Sequence, residues 1–148
     1  MDYVVGYGSL IHAGSRARTL ACEPAWPVVV RGFGRRDWNF RTADATALGI
    51  VPDPRGVFNA VVFATDQLEP FDWRETGYDR LQMPTHCVQG GSFGPRDRLW
   101  IYVPQRPQAP APEVPIRPAY SDTCLQGCLE QYGRDFARLF VVSTSGWT

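Results

Sequence analysis

Val4-Val5-Gly6-Tyr7-Gly8-Ser9-Leu10 stands almost at the N-terminus, and the rest of the chain is read outward from it. A β-branched run breaks there into a turn with two glycines. Without Cβ atoms, backbone N–H groups face a ligand unobstructed, and successive N–H groups in such a turn form a concavity that favours an anion or a developing oxyanion. Gly-x-Gly after a strand is commonly no more than a tight turn, so a second segment has to give this one its meaning.

Strand signals dominate the first half of the sequence: Tyr3 to Val5, Trp26 to Gly32, Asp37 to Phe40, Leu48 to Val51 and Phe58 to Ala64, each bounded by Gly, Pro or Asp. Trp38 and Phe40 alternate with polar neighbours, which predicts a half-buried strand rather than an RNA-binding cluster of arginines and aromatics. Asp66 and Glu69 have the spacing of a helix start, and the helix is expected to run to about Glu75, with Gly77 as its left-handed stop. Val88 begins another strand region, and Arg98 to Val103 is a strong strand ended by Pro104. Pro104 to Pro118 carries six prolines and reads as an extended, polyproline-like connection across the surface. Beyond it, Asp122 is expected to cap a helix that presents Leu125, Cys128, Leu129 and Tyr132 and stops at Gly133; a second helix covers Asp135 to Val142. Strands first and helices later, without βαβ alternation, predict an α+β fold with a curved or closed, mostly antiparallel sheet or barrel and flanking helices.

Composition narrows the function classes. At 148 residues, with 44% hydrophobic and 13% aromatic side chains, the chain is expected to form one domain over residues 1–148. The formal net charge of zero gives no pull toward nucleic acid or an acidic membrane surface. A basic-then-apolar leader and a membrane-length apolar run of roughly 18 residues are both missing, so a soluble cytoplasmic protein is expected. All 15 cationic residues are arginines. A chain without lysine forms no lysine Schiff base, attaches no pyridoxal phosphate and has no phosphate-loop lysine. Cys22, Cys87, Cys124 and Cys128 lack the paired spacing of a zinc site and read as reduced thiols, Cys124 and Cys128 as small buried apolar residues.

The second segment is Asp72-Trp73-Arg74-Glu75-Thr76-Gly77-Tyr78-Asp79-Arg80. Glu75 falls at a helix C-terminus, where unpaired carbonyls disfavour a carboxylate. Burial among Phe71, Trp73 and Tyr78 would raise its pKa further, and Arg74 would oppose the rise. A carboxyl tuned upward suits proton shuttling; an ordinary helix-end carboxylate paired with Arg74 or Arg80 fits the same residues.

Together these segments resemble the γ-glutamyl cyclotransferase superfamily. Tyr7-Gly8-Ser9-Leu10 is similar to the family's turn after the first strand, and Glu75 in Arg74-Glu75-Thr76-Gly77-Tyr78 to its catalytic helix-end glutamate. Between them, Arg31-Gly32-Phe33-Gly34-Arg35-Arg36 with Trp38-Asn39 is similar to the family's basic, aromatic second strand, and Ala47 to Pro52 and Asn59 to Phe63 continue the likeness. Tyr120 matches a tyrosine that contacts substrate. The ordered set covers nearly the whole chain.

The resemblance implies that a γ-glutamyl amine or amino acid is cyclised to 5-oxoproline with release of the amine. Glu75 would serve as general base and then general acid. Val5, Gly6, Tyr7, Gly8, Ser9, Leu10 and Tyr120 would bind the small-molecule substrate, the turn through its α-carboxylate or its oxyanion. Neither a metal nor a cofactor is called for, and the oligomeric state is left open. Three alternatives stand beside this. One is a non-catalytic binding module on the same fold. A thiol nucleophile at Cys87 beside His86 would need an irregular turn after Pro84. His12, close behind the first turn, would be either a ligand contact or a capping histidine.

Overall fold

The computed structural model describes residues 1–21 and 24–147. Its centre follows from the two most apolar strands. In β5 (Val57–Thr65) the run Phe58 to Phe63 is completely buried on both faces, so this strand has to lie inside a sheet covered from both sides. β1 (Asp2–Gly6) pairs with it antiparallel, from Asp2 opposite Thr65 to Gly6 opposite Val61. With β2 (Trp26–Arg31), β6 (Tyr78–Met83), β7 (Val88–Gln89) and β8 (Arg98–Pro104) they form a six-stranded sheet ordered β6-β8-β1-β5-β2-β7. A second sheet, ordered β4-β3-β9, contains β3 (Gly34–Arg41), β4 (Thr46–Pro52) and β9 (Thr144–Ser145).

The α+β class expected from the sequence is observed, and pairing is antiparallel except between β1 and β8 and between β3 and β9. Of the curved or closed sheet that the sequence predicts, closure is not observed: among the described residues the large sheet ends in free edges at β6 and β7. One local divergence positions the site. β1 runs parallel to β8 only from Asp2 to Val4, while its pairing with β5 continues to Gly6. The turn after Gly6 therefore leaves the sheet where β1 and β8 part, and the Tyr7 hydroxyl spans the gap to donate to the Tyr102 carbonyl.

Among the described residues, four α-helices accompany these sheets: α1 (Ala13–Thr19), α2 (Glu69–Arg74), α3 (Pro118–Tyr132) and α4 (Arg134–Val142). α3 packs against α4 and against the 3-10 turn Ser9–Ile11, and α4 packs on β5. Gly127 makes the second of these contacts possible, since a Cβ there would lie 2.7 Å from His12 Cα, at the end of the 3-10 turn. Among the described residues, no helix is long and apolar enough to cross a membrane.

Helix starts differ from expectation at two places, and proline explains both. α2 begins at Glu69 with Leu68, not Asp66, at its N-cap, because Pro70 fits the first turn, where no N–H is needed. α3 begins at Pro118 rather than after Asp122, for the same reason, which puts Tyr120 inside its first turn. The proline-rich connection is pinned along the second sheet: Gln108 donates to the Asn39 carbonyl at 2.8 Å, and Thr46 to that of Pro115 at 2.9 Å.

Candidate functional site

A narrow cavity opens at the point where β1 leaves the sheet. Val5, Tyr7, Gly8, Ser9 and Leu10 form its floor; Leu48, Tyr78, Tyr102 and Tyr120 form its sides, and Glu75 stands across from the floor. Of the eight residues that the resemblance assigns to catalysis and substrate binding, all but Gly6 line this space. Gly6 acts from behind, because a Cβ there would fall 2.7 Å from Leu10 Cβ and push the turn off the strand. The inner cavity measures about 20 Å³, room for one water-sized group. It shares Ser9, Glu75, Tyr78 and Tyr120 with a wider outer depression of about 270 Å³, whose other walls include Phe40, Thr42, Ala47 and Thr76.

Glu75 is the C-cap of α2. Its N–H donates to the Phe71 carbonyl at 2.9 Å, and its own carbonyl accepts from the Tyr78 N–H at 3.0 Å, so the backbone holds it from both sides. Gly77, at φ +92°, turns the chain into β6 beneath the Phe40 ring, 2.6 Å from where a Cβ would sit. The Glu75 side chain is only 17% exposed, with Oε1 3.8 Å from Arg74 Nε. Burial raises its pKa and the Arg74 charge opposes the rise. Trp73 takes no part in that burial, contrary to the sequence reading: it is 72% exposed. Nor does Arg80 pair with Glu75; it lies 3.5 Å from Asp72 instead.

Arg74 ties this wall to the floor. Its Nη1 donates to the Ser15 carbonyl at 2.7 Å and to Thr19 Oγ1 at 2.9 Å, and its Nη2 to Ser9 Oγ at 2.9 Å and Ser15 Oγ at 2.8 Å. Tyrosines make most of the remaining surface. The Tyr78 hydroxyl donates to the Leu48 carbonyl at 2.6 Å, and its ring stacks on Phe40 with centroids 4.2 Å apart. The Tyr102 hydroxyl donates to Asp72 Oδ1 at 2.7 Å. Tyr120 lies edge-on to Trp38 and brings its hydroxyl over Gly8, 3.0 Å from where a Cβ would stand. Burial raises the pKa of each of the four cavity tyrosines, so they face the cavity as neutral phenols.

Behind the floor lies Arg36, fully buried. Its Nε donates to the Tyr7 carbonyl at 2.8 Å. Nη1 donates to Thr144 Oγ1 at 3.0 Å and to the Phe140 carbonyl and Ser143 Oγ, both at 3.2 Å. Nη2 donates to Asn59 Oδ1 at 3.0 Å and to the Asn59 carbonyl. The guanidinium also lies 4.1 Å from the Phe140 ring centroid. Among the described residues no carboxylate pairs with it. Burial lowers its pKa to about 10, which leaves it a cation at neutral pH.

Sequence reasoning treated Arg36 as part of a half-buried strand and did not bring Leu48, Tyr78 or Tyr102 to the cavity. A signal for Arg36 was present: in β3 it shares its face with Trp38, the side that alternation assigns to the core. Other candidates fall elsewhere. His12 caps α1, its Nδ1 accepting from the Ser15 N–H at 3.0 Å. Cys87 does sit in an irregular 3-10 turn after Pro84, but it is buried in the core while His86 is exposed, and neither lines the cavity. Cys124 and Cys128 are buried in α3; Cys22 lies outside the described residues. Among the described residues, no group of three or more His, Cys, Asp or Glu side chains could hold a metal ion.

No protein-family model matches the chain, and no curated protein matches it by sequence. Solved structures do match. YkqA from Bacillus subtilis superposes with a TM-score of 0.70 at 15% identity over 92% of this chain, which spans about half (51%) of that protein's length. A γ-glutamyl cyclotransferase superposes with a TM-score of 0.67 at 14% identity, covering 95% of this chain and 86% of that one. The glutathione-specific γ-glutamyl cyclotransferase from yeast gives 0.60 at 16% identity, covering 95% and 96%. The chain has the γ-glutamyl cyclotransferase-like fold.

Proposed function

We propose that this protein cyclises a γ-glutamyl amine or amino acid to 5-oxoproline and releases the amine, with Glu75 as general base and acid. The observation that carries the proposal is the placement of a buried carboxyl of raised pKa opposite the Tyr7 to Leu10 backbone, at the junction of the narrow inner cavity and the wide outer one. The two γ-glutamyl cyclotransferases that share the fold support it.

The geometry suits a substrate that attacks itself. The inner cavity takes a single oxygen, the curled glutamyl body lies at the junction, and the leaving amine extends into the outer depression. Holding the α-nitrogen against the γ-carbon replaces a bimolecular encounter, where effective molarities reach on the order of 10⁵ M or more. An α-ammonium has to lose a proton before it is nucleophilic. Glu75 takes a proton from the attacking nitrogen, the N–C bond of the five-membered ring forms, and the γ-carbonyl oxygen becomes an oxyanion. As the amide C–N bond breaks, Glu75 returns the proton to the leaving nitrogen. The other surplus proton of the ammonium, and the one that charges the released amine, exchange with solvent. Tyr120 and the backbone of Val5 to Leu10 hold the glutamyl group.

A small-molecule substrate agrees with the zero formal net charge, and a cytoplasmic setting with the free thiols of Cys87, Cys124 and Cys128. Assay of 5-oxoproline release across γ-glutamyl amines, γ-glutamyl amino acids and glutathione tests the proposal: wild type is expected to turn over at least one of them, and Glu75→Gln to be slower on it by about a hundredfold or more. Undiminished turnover by Glu75→Gln would overturn it. A wild type inert on the whole panel would leave a binding module on this fold.

A further inference from the structure

We propose that Arg36 is a positioning residue of the pocket: by gripping the Tyr7 carbonyl from the core, it aims the Gly8 N–H at the negative oxygen of a bound γ-glutamyl group. Granted the cyclisation proposed above, Arg36 acts on the reaction without touching the substrate. The described residues contain no cis peptide, so the Tyr7 carbonyl and the Gly8 N–H belong to one trans unit and point in opposite directions. Arg36 Nε draws that carbonyl to the core side at 2.8 Å. The N–H is thereby turned to the other side, where Gly8 lines the cavity, and among the described residues it donates to no protein backbone group.

Two further features make this more than packing. A peptide between a large residue and a glycine is prone to flip; here the guanidinium is itself held by Asn59, Phe140, Ser143 and Thr144, so the carbonyl it grips cannot follow another donor. A hydrogen bond from a cation also polarises the peptide and makes its N–H a stronger donor. Among the described residues no carboxylate faces the guanidinium, so within them its charge is not neutralised and favours negative charge across the thin floor of the cavity.

Steady-state kinetics of Arg36→Lys and Arg36→Met test the assignment. In either variant kcat/KM for 5-oxoproline release is expected to fall about a hundredfold or more, the loss typical of removing one oxyanion donor. The acid limb of the pH profile is expected to stay in place, because burial and Arg74, not Arg36, set the Glu75 pKa. Folded variants with kcat/KM within threefold of wild type would overturn the proposal. So would an acid limb that moved, since the damage would then run through Glu75. Amide hydrogen exchange on the unliganded wild type decides the matter if neither variant folds, and also if the wild type releases no 5-oxoproline, which would count against the proposed function alone. The Gly8 N–H is expected to exchange at least tenfold faster than the Ile11 N–H, which donates to the Gly8 carbonyl at 3.0 Å. Equal protection of the two would overturn the orientation claimed for Gly8.

Discussion

The Tyr7 to Leu10 floor and the Glu75 wall line the same narrow cavity, and they are held by different means. The floor is fixed from the core side: Arg36 holds the Tyr7 carbonyl, Arg16 donates to the Leu10 carbonyl at 2.8 Å, and α3 closes on the following turn at Gly127. The wall is the end of a six-residue helix with Trp73 in solvent. It depends on Arg74 and on the bond from Tyr102 to Asp72. A donor that serves by direction gains from a rigid mount. A carboxyl that serves by exchanging protons needs a setting that is buried enough to shift its pKa and still near solvent.

Substitution at the wall's working group should separate chemistry from scaffold most widely. Glu75→Gln is expected to lose turnover by about 10²-fold to 10⁴-fold while still binding γ-glutamyl ligands, as calorimetry would report. Its stability should change in the opposite sense. A carboxyl whose folded pKa is raised contributes stability that is complete below its unfolded value, about 4.3, and lost as pH rises through the folded value. Gln removes that loss, so the variant should resist denaturant better than wild type at neutral pH and lose this advantage at acid pH. A variant less stable at pH 7 would break the contrast.

On the floor side the next largest effect is structural. Gly127→Ala places a Cβ 2.7 Å from His12 Cα and 2.8 Å from His12 N, backbone atoms that cannot swing away. A cost of about 1–3 kcal/mol in denaturant unfolding is expected, together with weakened activity as the turn is displaced; an unaffected midpoint would show that the floor is not rigidly mounted. Arg74→Met works on the wall. With the opposing cation gone the Glu75 pKa rises further, so the acid limb of the pH–activity profile should move to higher pH. A shift to lower pH would mean that Arg74 acts on something other than Glu75. Trp73→Ala, on the exposed face of the same helix, should change stability by no more than about 0.5 kcal/mol.

What the sequence revealed divides along a physical line. Strands buried on both faces, such as β5, and glycines with a steric duty, such as Gly6 and Gly77, leave composition signals that survive without coordinates. Glu75 was legible because a helix terminus and a glycine stop mark it locally. α1 and β6 were not: Ala13-Gly14-Ser15 has weak helix propensity, and the edge strand Tyr78 to Met83 is interrupted by Asp79 and Arg80. Their existence is decided by partners far along the chain. The helix starts at Pro118 and Glu69 depart from the cap signals at Asp122 and Asp66 because a proline suited to the first turn decides each. Arg36 leaves no local mark beyond its alternation with Trp38, since a buried cation for which the described residues offer no acid is otherwise betrayed only by its many long-range acceptors.

Those acceptors set an order of events during synthesis. Every residue lining the inner cavity has left the ribosome soon after Tyr120, yet the guanidinium that orients Tyr7 finds Phe140, Ser143 and Thr144 only some twenty residues later. A nascent chain halted at Gly133 would carry the whole pocket in sequence with Arg36 anchored by Asn59 alone. Competence to bind should therefore be acquired near the end of folding, together with the docking of α4 and the pairing of β9, and the pocket serves as a late reporter of a completed domain.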